Sequence, residues 1–326
     1  MRLQNLLKTA GVAICALTYT GAALAADAID VRYGLWAKEG EAQYIGAVKF
    51  KELIEAESGG RYKVTIYPGN QLGTPREMQA QLALNDTQIM ASGDPGMKEI
   101  EYLALPYLMK GIKNYIDVIS SPIGDAWNEK LVKTRRMRLF GFLPRSPRQI
   151  SSNKLINKMS DLDGLKLRSP QRDYYVESLT ALGAKPTPMA FKEVYTALQT
   201  GLVDGQENPI ETIYAQKFYE VQKAVAMVDY IDKPAYVMIG DPFWSKLSDA
   251  DKAMFSKAQT ASAELVAGLL PEQEKKFIAE MKAKGVTFTY PDKAEFIAAT
   301  QSVRDALGTK IWGEETYKKV VAMGAK

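Results

Sequence analysis

Histidine is absent from all 326 residues of the chain, and cysteine occurs once, at Cys15. A chain without imidazole has no Ser-His-Asp triad and no histidine-ligated metal site. The sequence also lacks a phosphate-binding loop, a metal-ligand spacing and a basic-aromatic pattern for nucleic acid. An enzyme built on it would depend on Asp, Glu, Lys, Tyr or Ser chemistry. These absences favour a binding function, and we predict no catalytic residue, no metal and no cofactor.

The first 25 residues have the layout of a signal peptide. Positive charge at Arg2 and Lys8 precedes an apolar segment that ends in Ala-Leu-Ala at 23–25, a pattern that signal peptidase cuts. We therefore predict secretion, with cleavage before Ala26. An uncleaved membrane anchor is the alternative, but the apolar segment is short for a membrane span and rich in small residues.

Loss of this segment changes the mature chain in two ways. It removes two positive and no negative charges, so the formal charge falls from +4 to +2. A nearly balanced charge gives no argument for nucleic acid or an anionic membrane as partner. Cys15 is also removed, which leaves no disulfide. Attachment of a lipid at Cys15 is disfavoured because Ile14 stands where a small residue is required.

The hydrophobic pattern after the signal segment predicts alternating strands and helices. The first elements are predicted as strand, helix, strand, helix and strand over 29–35, 41–57, 62–67, 75–84 and 88–91. Thr74, Pro75 and Glu77 give the second helix a capping box with proline at its first position. This order of elements predicts a parallel sheet covered by helices.

A second α/β unit is predicted from about Arg148 onward. Its strands are predicted over 165–168, 203–207, 225–230 and 286–290, and its helices over 173–182, 192–200 and 211–222. Further elements are a helix over 114–133 interrupted near Pro122, strands over 137–143 and 236–240, and a long helical region over 249–284 with a break or kink at Pro271.

The chain has no long flexible linker, so we predict two lobes joined by several crossings. The first lobe is predicted over 26–146 plus about 234–273, and the second over 147–233 plus about 274–326. A cleft between such lobes, at the carboxyl ends of parallel strands, is the default ligand site.

Arg168 is the first candidate for ligand binding, because it ends a predicted strand where open α/β sheets bind ligands. A guanidinium there can hold a carboxylate by two parallel hydrogen bonds. An exposed arginine paired with a surface carboxylate would give the same pattern, so the residues alone leave both interpretations open.

Four other residues are candidates by position. Arg145 and Arg148 lie at the predicted lobe junction, Asn208 ends a predicted strand, and Trp36 follows the first strand. Each has a plainer interpretation: a solvated basic stretch for the arginines, a turn signal for an asparagine before proline, and a core position for the tryptophan.

A longer stretch of the sequence resembles a known family. Residues 183–227 read GAKPTPMAFKEVYTALQTGLVDGQENPIETIYAQKFYEVQKAVAM, and shorter matches are YPGNQLGTPREM at 67–78, ALPYLM at 104–109, RQISSNK at 148–154 and DLDGLKLRSP at 161–170. The chain resembles the extracytoplasmic solute receptors of tripartite ATP-independent periplasmic (TRAP) transporters, of the dicarboxylate- and sialic-acid-receptor (DctP) type. The resemblance covers nearly all of the mature chain.

The resemblance implies an α/β, two-lobed periplasmic binding protein fold of type II-like architecture. It implies mixed, mostly parallel sheets with flanking helices and a long helix that spans both lobes. It also implies a monomer in the periplasm of a Gram-negative cell, a small organic anion as ligand, and partnership with one small and one large membrane subunit driven by an ion gradient.

The resemblance also implies roles for individual residues. Arg168 matches the arginine that holds the ligand carboxylate, and Arg148 matches a second anion-binding arginine. Asn208 matches an asparagine that binds a ligand oxygen, and Phe191 matches a residue near the ligand. Arg145 is an added positive charge, which would suit a dicarboxylate or sulfonate if it faces the cleft and means nothing if it faces solvent.

Departures from the sialic-acid branch concern the opposite wall. That branch is similar in pattern but has an asparagine at the position of Trp36, and acidic residues at the position of Ser92 and near Pro75. The loss of these polar groups argues against sialic acid and for a smaller or flatter ligand. Two alternatives to a transport receptor stay open: a periplasmic hydrolase that uses carboxylates, and the binding subunit of a sensor.

Overall fold

The structure is a computed structural model, and it describes residues 28–325. The predicted signal peptide therefore lies outside the described residues. The strands are β1 (Ile29–Leu35), β2 (Tyr62–Tyr67), β3 (Ile89–Ser92), β4 (Met137–Leu143), β5 (Arg148–Ser152), β6 (Lys166–Ser169), β7 (Lys185–Pro188), β8 (Gly205–Pro209), β9 (Ala224–Ile231), β10 (Ala235–Gly240) and β11 (Thr287–Thr289). The helices are α1 (Ala42–Glu57), α2 (Pro75–Leu84), α3 (Lys98–Glu101), α4 (Ile112–Ile119), α5 (Pro122–Arg135), α6 (Asp173–Ala181), α7 (Val194–Gln199), α8 (Ile210–Ala215), α9 (Asp241–Trp244), α10 (Asp249–Ala283), α11 (Lys293–Ala299), α12 (Gln301–Trp312) and α13 (Glu314–Gly324).

The first sheet has the order β2-β1-β3-β10-β4. Strands β1, β2 and β3 are parallel, as the sequence predicts, and β10 runs antiparallel to both of its neighbours. Val31, Tyr33 and Leu35 alternate along β1 and are fully buried, which is the period of two expected for a covered face. We call this sheet with its covering helices the first lobe.

The second sheet has the order β11-β9-β5-β8-β6-β7 and forms the second lobe with its helices. Strand β6 pairs in parallel with β7 and β8, whereas β5 runs antiparallel to β8 and β9. The predicted α/β architecture with two lobes and mixed sheets is confirmed. Strands β5 and β7 were not predicted, because four of the five residues of β5 are polar and β7 contains two prolines. An edge position in the sheet accommodates the prolines of β7.

Local signals set several helix boundaries as predicted. Thr74 accepts a hydrogen bond from the Glu77 amide, and Glu77 accepts one from the Thr74 amide, which completes the capping box of α2. Pro122 separates α4 from α5. The predicted helix over 211–222 is too long: α8 ends at Ala215, and Lys217 takes the left-handed conformation before a short 3₁₀ turn.

The 35-residue helix α10 connects the lobes. Its first half packs on α1 and β4 of the first lobe, and its second half packs on α8 of the second lobe. The Phe277 ring stacks on the Tyr214 ring at 4.2 Å in this second half. The helix runs without interruption through Pro271, so the chain does not break there, and the alternative of a kink stays a prediction. The chain also crosses between the sheets after β4 and after β9.

The lobes share an aromatic contact and a backbone hydrogen bond near these crossings. The Tyr102 and Tyr174 rings, one from each lobe, lie 5.4 Å apart, and the Tyr107 amide donates to the Tyr230 carbonyl of β9 at 3.0 Å. The terminal helices extend the contact, since α12 packs on both α3 and α6. Over residues 28–325, the structure contains no helix with the length and apolar character needed to cross a membrane.

Candidate ligand-binding site

Arg168 lies near the carboxyl end of β6, as the sequence predicts, and its residue is only 3% exposed. Its Nη2 donates to the Met189 carbonyl at 2.9 Å, and its guanidinium lies 5.8 Å from the centre of the Phe191 ring. Its Nε is buried and has no hydrogen-bond partner among the described residues. A buried donor without an acceptor is costly, so the hydrogen-bonding capacity of this guanidinium is incompletely used by the described residues.

Burial and neighbouring charges set the electrostatic state of Arg168. Burial lowers the pKa of Arg168 to about 10; Glu207 opposes this shift, and the positive charge of Arg148 adds to it. The side chain still carries its proton at neutral pH. Among the residues that the structure describes, Arg168 is therefore a buried cation that forms no ion pair with a carboxylate, and an anion beside it would supply that charge.

Arg148, on β5, has a carboxylate partner already. Its Nη2 donates to Glu207 Oε1 and to the Glu207 carbonyl, each at 2.7 Å, and its Nε donates to Glu207 Oε2. The Tyr230 hydroxyl also donates to Glu207 Oε2, at 2.6 Å. Burial disfavours the charge of Arg148, but Glu207 outweighs burial and raises the pKa of Arg148 well above its usual value. The pair is a neutralised unit beside Arg168.

Asn208 belongs to the same hydrogen-bond network. Its Oδ1 accepts from Arg148 Nη2 at 3.0 Å, and its Nδ2 donates to Gln206 Oε1 at 2.5 Å. Gln206 in turn donates to the Ser151 hydroxyl at 2.9 Å and lies opposite Arg168 in the β6–β8 pairing. The network fixes the Asn208 amide next to the strand end that carries Arg168.

Arg145 and Trp36 form a separate contact on the side of the lobe crossings. The Arg145 guanidinium lies 5.2 Å from the centre of the Trp36 ring, and its Nη2 donates to Thr212 Oγ1 at 2.9 Å. Its Nε is 3.7 Å from Glu211 Oε1. Arg145 lines a cavity of about 610 Å³ together with residues of the crossings and of α10, including Pro271. Its side chain is 9% exposed, so Arg145 is a largely buried residue at the junction and not part of a solvated basic stretch.

Arg145 and Glu211 are a weak pair, since each shifts toward its neutral form. Burial lowers the pKa of Arg145 in spite of Glu211. Burial raises the pKa of Glu211 from 4.5 to about 7 in spite of Arg145. The separation of 3.7 Å between Nε and Oε1 is too long for a strong charge-assisted hydrogen bond, so attraction does not offset the desolvation of both groups.

The raised pKa of Glu211 predicts a dependence of stability on pH. The folded protein holds the Glu211 proton more tightly than the unfolded chain does, so the stability from this group is complete below pH 4.5 and is lost as the pH rises through about 7. The wild type should therefore lose stability relative to Glu211→Gln as the pH rises. We expect the free energy of unfolding of Glu211→Gln to gain up to about 3 kcal/mol on that of the wild type between pH 5 and pH 8.

Urea unfolding at the two pH values measures this difference. Glu272→Gln, which changes an exposed residue of α10, is the matched control and should follow the wild type at both pH values. A constant difference between Glu211→Gln and the wild type across this range would show that Glu211 is already ionised at pH 5.

Ser92 lies at the end of β3, on the first lobe. Its hydroxyl donates to the Asp94 carbonyl at 2.9 Å and accepts from the Asp94 amide at 3.1 Å, so its hydrogen bonds close a turn. Among the described residues, the Ser92 hydroxyl forms no hydrogen bond with any of the candidate arginines. The structure thus brings six of the predicted site residues together in contacting pairs, and Ser92 belongs to none of them. The pairs are Arg168 with Phe191, Arg148 with Asn208, and Arg145 with Trp36.

Three residues of this region were not predicted as part of the site. Glu207 neutralises Arg148, the Tyr175 ring centre lies 5.1 Å from the Arg148 guanidinium, and Arg172 forms ion pairs with residues of the first lobe. A glutamate within a strand, as in Gln206-Glu207-Asn208, was the only sequence signal for the first of these. Tyr175 and Arg172 could not be identified from the sequence, because their partners in the site are far away along the chain.

Known proteins are similar to this chain over most of its length. Residues 33–310 match the sequence model of DctP, the bacterial extracellular solute-binding protein family 7. The sialic acid-binding periplasmic protein SiaP of Vibrio cholerae is 34% identical, over 96% of this chain and 98% of SiaP. The C4-dicarboxylate-binding periplasmic protein DctP of Rhodobacter capsulatus is 31% identical, over 86% of each chain.

A solved structure gives the same result for the fold. A TRAP periplasmic solute-binding protein from Roseobacter denitrificans, with bound L-galactonate, is 32% identical and superposes with a TM-score of 0.79. The match covers 90% of this chain and 98% of that one. The chain therefore belongs to the DctP family of bacterial extracellular solute-binding proteins, the periplasmic receptor family of TRAP transporters.

Proposed function

We propose that this receptor captures a small organic carboxylate between its lobes, with Arg168 as the principal anchor. The observation that carries the proposal is the state of Arg168: 3% exposed, with a buried Nε that has no partner among the described residues. An incoming carboxylate would accept from this Nε and from a second guanidinium nitrogen, in the planar geometry that suits arginine.

The neighbouring residues have supporting roles in this proposal. Asn208 is held by Arg148 and Gln206 in position to contact a ligand oxygen, and Phe191 covers the Arg168 guanidinium. Arg148 acts through the network rather than as a free anion site, because Glu207 already neutralises it. A full carboxylate at Arg148 would have to compete with a buried, well-bonded partner.

The chemical class of the ligand follows from the relatives and from the opposite wall. Sialic acid, C4-dicarboxylates and L-galactonate, named for the relatives, all carry a carboxylate. Trp36 and Ser92 offer few free polar groups for a large sugar acid, since the Ser92 hydroxyl is used in a turn. We favour an acid smaller or flatter than sialic acid. Arg145 would receive a second anionic group, carboxylate or sulfonate, if a ligand reaches past Trp36.

The proposal includes the cellular context of the receptor. Cleavage before Ala26 would release it as a monomer into the periplasm of a Gram-negative cell. It would deliver its ligand, unchanged by catalysis, to one small and one large membrane subunit. The lobes would be residues 26–146 plus about 234–273 and 147–233 plus about 274–326, a division supported by the membership of the two sheets.

A thermal-shift screen of organic acids tests the proposal. An acid present at about 100 times its dissociation constant should stabilise the folded protein by about 2.7 kcal/mol, because it binds the folded state alone. Native mass spectrometry of the purified protein would identify any acid that is retained. If no carboxylate or sulfonate at high concentration raises the melting temperature, the proposed function is wrong.

A further inference from the structure

Arg172 joins the two lobes close to the ligand site. It follows β6 of the second lobe, four positions after Arg168. Its Nη2 donates to Asp94 Oδ2 at 2.5 Å, and its Nε donates to Glu101 Oε1 at 2.9 Å. Asp94 and Glu101 lie between β3 and β4, in the first lobe. One guanidinium thus bridges two carboxylates across the boundary between the lobes.

The first lobe holds Asp94 in place independently of Arg172. Asp94 Oδ1 accepts from the Gly96 amide at 2.8 Å, and the Asp94 carbonyl accepts from Ser92 Oγ at 2.9 Å and from Gln79 Nε2 at 3.0 Å. The carboxylate is therefore fixed before Arg172 reaches it, and little side-chain entropy is lost when the bridge forms.

Glu101 is similarly buried and fixed. Its side chain is 7% exposed, and Lys233 Nζ, in the crossing after β9, lies 3.9 Å from its Oε1. Arg172, Asp94 and Glu101 also line a cavity of about 1200 Å³ to which both lobes contribute. Separation of the lobes would open this cavity further to water and leave the carboxylates without their shared cation.

Burial distinguishes the Arg172 bridge from an ordinary surface pair. The Arg172, Asp94 and Glu101 side chains are 30%, 15% and 7% exposed. A second ion pair between the same segments, Lys98 with Asp173, is 3.7 Å long and about two-thirds exposed on each side. Exposed pairs of that kind contribute little, whereas a partly buried, two-carboxylate contact is screened less by solvent.

Arg172 is also coupled to the ligand site through its backbone. The Arg172 amide donates to the Pro170 carbonyl at 2.8 Å, which tightens the turn between Arg168 and α6. A restraint on Arg172 therefore restrains the strand end that carries Arg168.

We propose that Arg172 is a positioning residue, whose pairing with Asp94 and Glu101 holds the lobes together over the ligand site and slows ligand release without contact to the ligand. This role rests on the proposed function in one respect: the carboxylate is taken to be retained when the lobes are closed.

Distances between the lobes test the proposal without any ligand. The described chain contains no cysteine, so Gln71→Cys and Lys192→Cys, both at exposed positions on opposite lobes, can carry spin labels. Double electron–electron resonance then gives the interlobe distance distribution of the mature protein. We expect Arg172→Gln and Asp94→Asn each to shift this distribution to longer distances, and the double variant to add little, because both remove the same bridge.

Three comparisons make the result specific. Lys98→Ala, which removes the exposed ion pair, should leave the distribution unchanged. Arg172→Lys should restore part of the short-distance population, since it keeps the charge but not the two-pronged geometry. Asp94→Asn keeps the acceptor for the Gly96 amide, so it serves as the milder variant if Arg172→Gln folds poorly.

Ligand release is the second measurement. For the organic acid with the largest thermal shift, we expect Arg172→Gln to raise the dissociation rate about tenfold, since interface changes act mainly on dissociation. An unchanged distance distribution in both variants would overturn the proposal. A weaker affinity with an unchanged distribution would also overturn it, in favour of direct contact with the acid. Because the distance experiment uses no ligand, its outcome is separate from a failure of the thermal-shift screen.

Discussion

Arg168→Ala is expected to reduce the affinity for the bound acid by about 2–5 kcal/mol, since a desolvated carboxylate would lose its charge-assisted partner. Each 1.4 kcal/mol corresponds to a factor of ten, so the dissociation constant should rise by about 30-fold to several thousand-fold. Isothermal titration calorimetry with the acid found by thermal shift measures the change. Arg168→Lys should recover only part of the affinity, because an ammonium group lacks the planar fork.

The same variant separates binding from folding. The ligand-free protein bears the cost of a buried guanidinium whose Nε has no partner among the described residues, so Arg168→Ala should not lower the melting temperature of the ligand-free protein by much. Arg61→Ala removes an arginine side chain that is 58% exposed and pairs with Asp251, and should leave affinity unchanged. Wild-type affinity in Arg168→Ala would mean that the anchor lies elsewhere.

Glu207→Ala is expected to destabilise the fold by about 3–5 kcal/mol, because it leaves Arg148 charged, buried and without its carboxylate. The Tyr230 hydroxyl would lose its acceptor as well. Replacing both partners, as in Arg148→Met with Glu207→Leu, should recover much of this loss, because no unpaired charge remains. Urea unfolding of the single and double variants measures the free energies.

An exposed ion pair provides the control for this experiment. Glu314 pairs with Lys318 on the surface of α13, where both side chains are more than two-thirds exposed, and Glu314→Ala should hardly change the unfolding midpoint. If Glu207→Ala were as mild as Glu314→Ala, Arg148 would have to be reached by water, and its role in the site would need to be reassigned.

The parts of the structure that depend on neighbours in sequence were the ones that could be predicted. The capping box of α2 involves Thr74 and Glu77, three positions apart, and the alternation along β1 needs only one strand. The position of Arg168 at a strand end follows from the same kind of local pattern. These features are decided by hydrogen bonds and side-chain periods within a few residues.

The charge partners in the site could not be predicted in the same way. Arg148 and Glu207 are 59 positions apart, and Arg172 and Asp94 are 78 apart, so their pairing depends on sheet order. A polar strand such as β5 gives no hydrophobic period, although it lies at the centre of the second sheet. The sequence therefore pointed to Arg148 and Arg168 as candidates but not to Arg172, and the fold decided that Arg148 is already neutralised by Glu207.

Helix α10 has a mechanical consequence for the receptor. At about 1.5 Å per residue, its 35 residues form a rod of about 52 Å. One half of the rod packs on the first lobe and the other half packs on the second lobe. A rotation of one lobe against the other about an axis that crosses this rod must bend it. Pro271, which lacks an amide proton, weakens the helix at a point between the segments that pack on the two lobes. Elastic resistance on both sides of that point would limit the amplitude of opening and return the lobes toward a common angle.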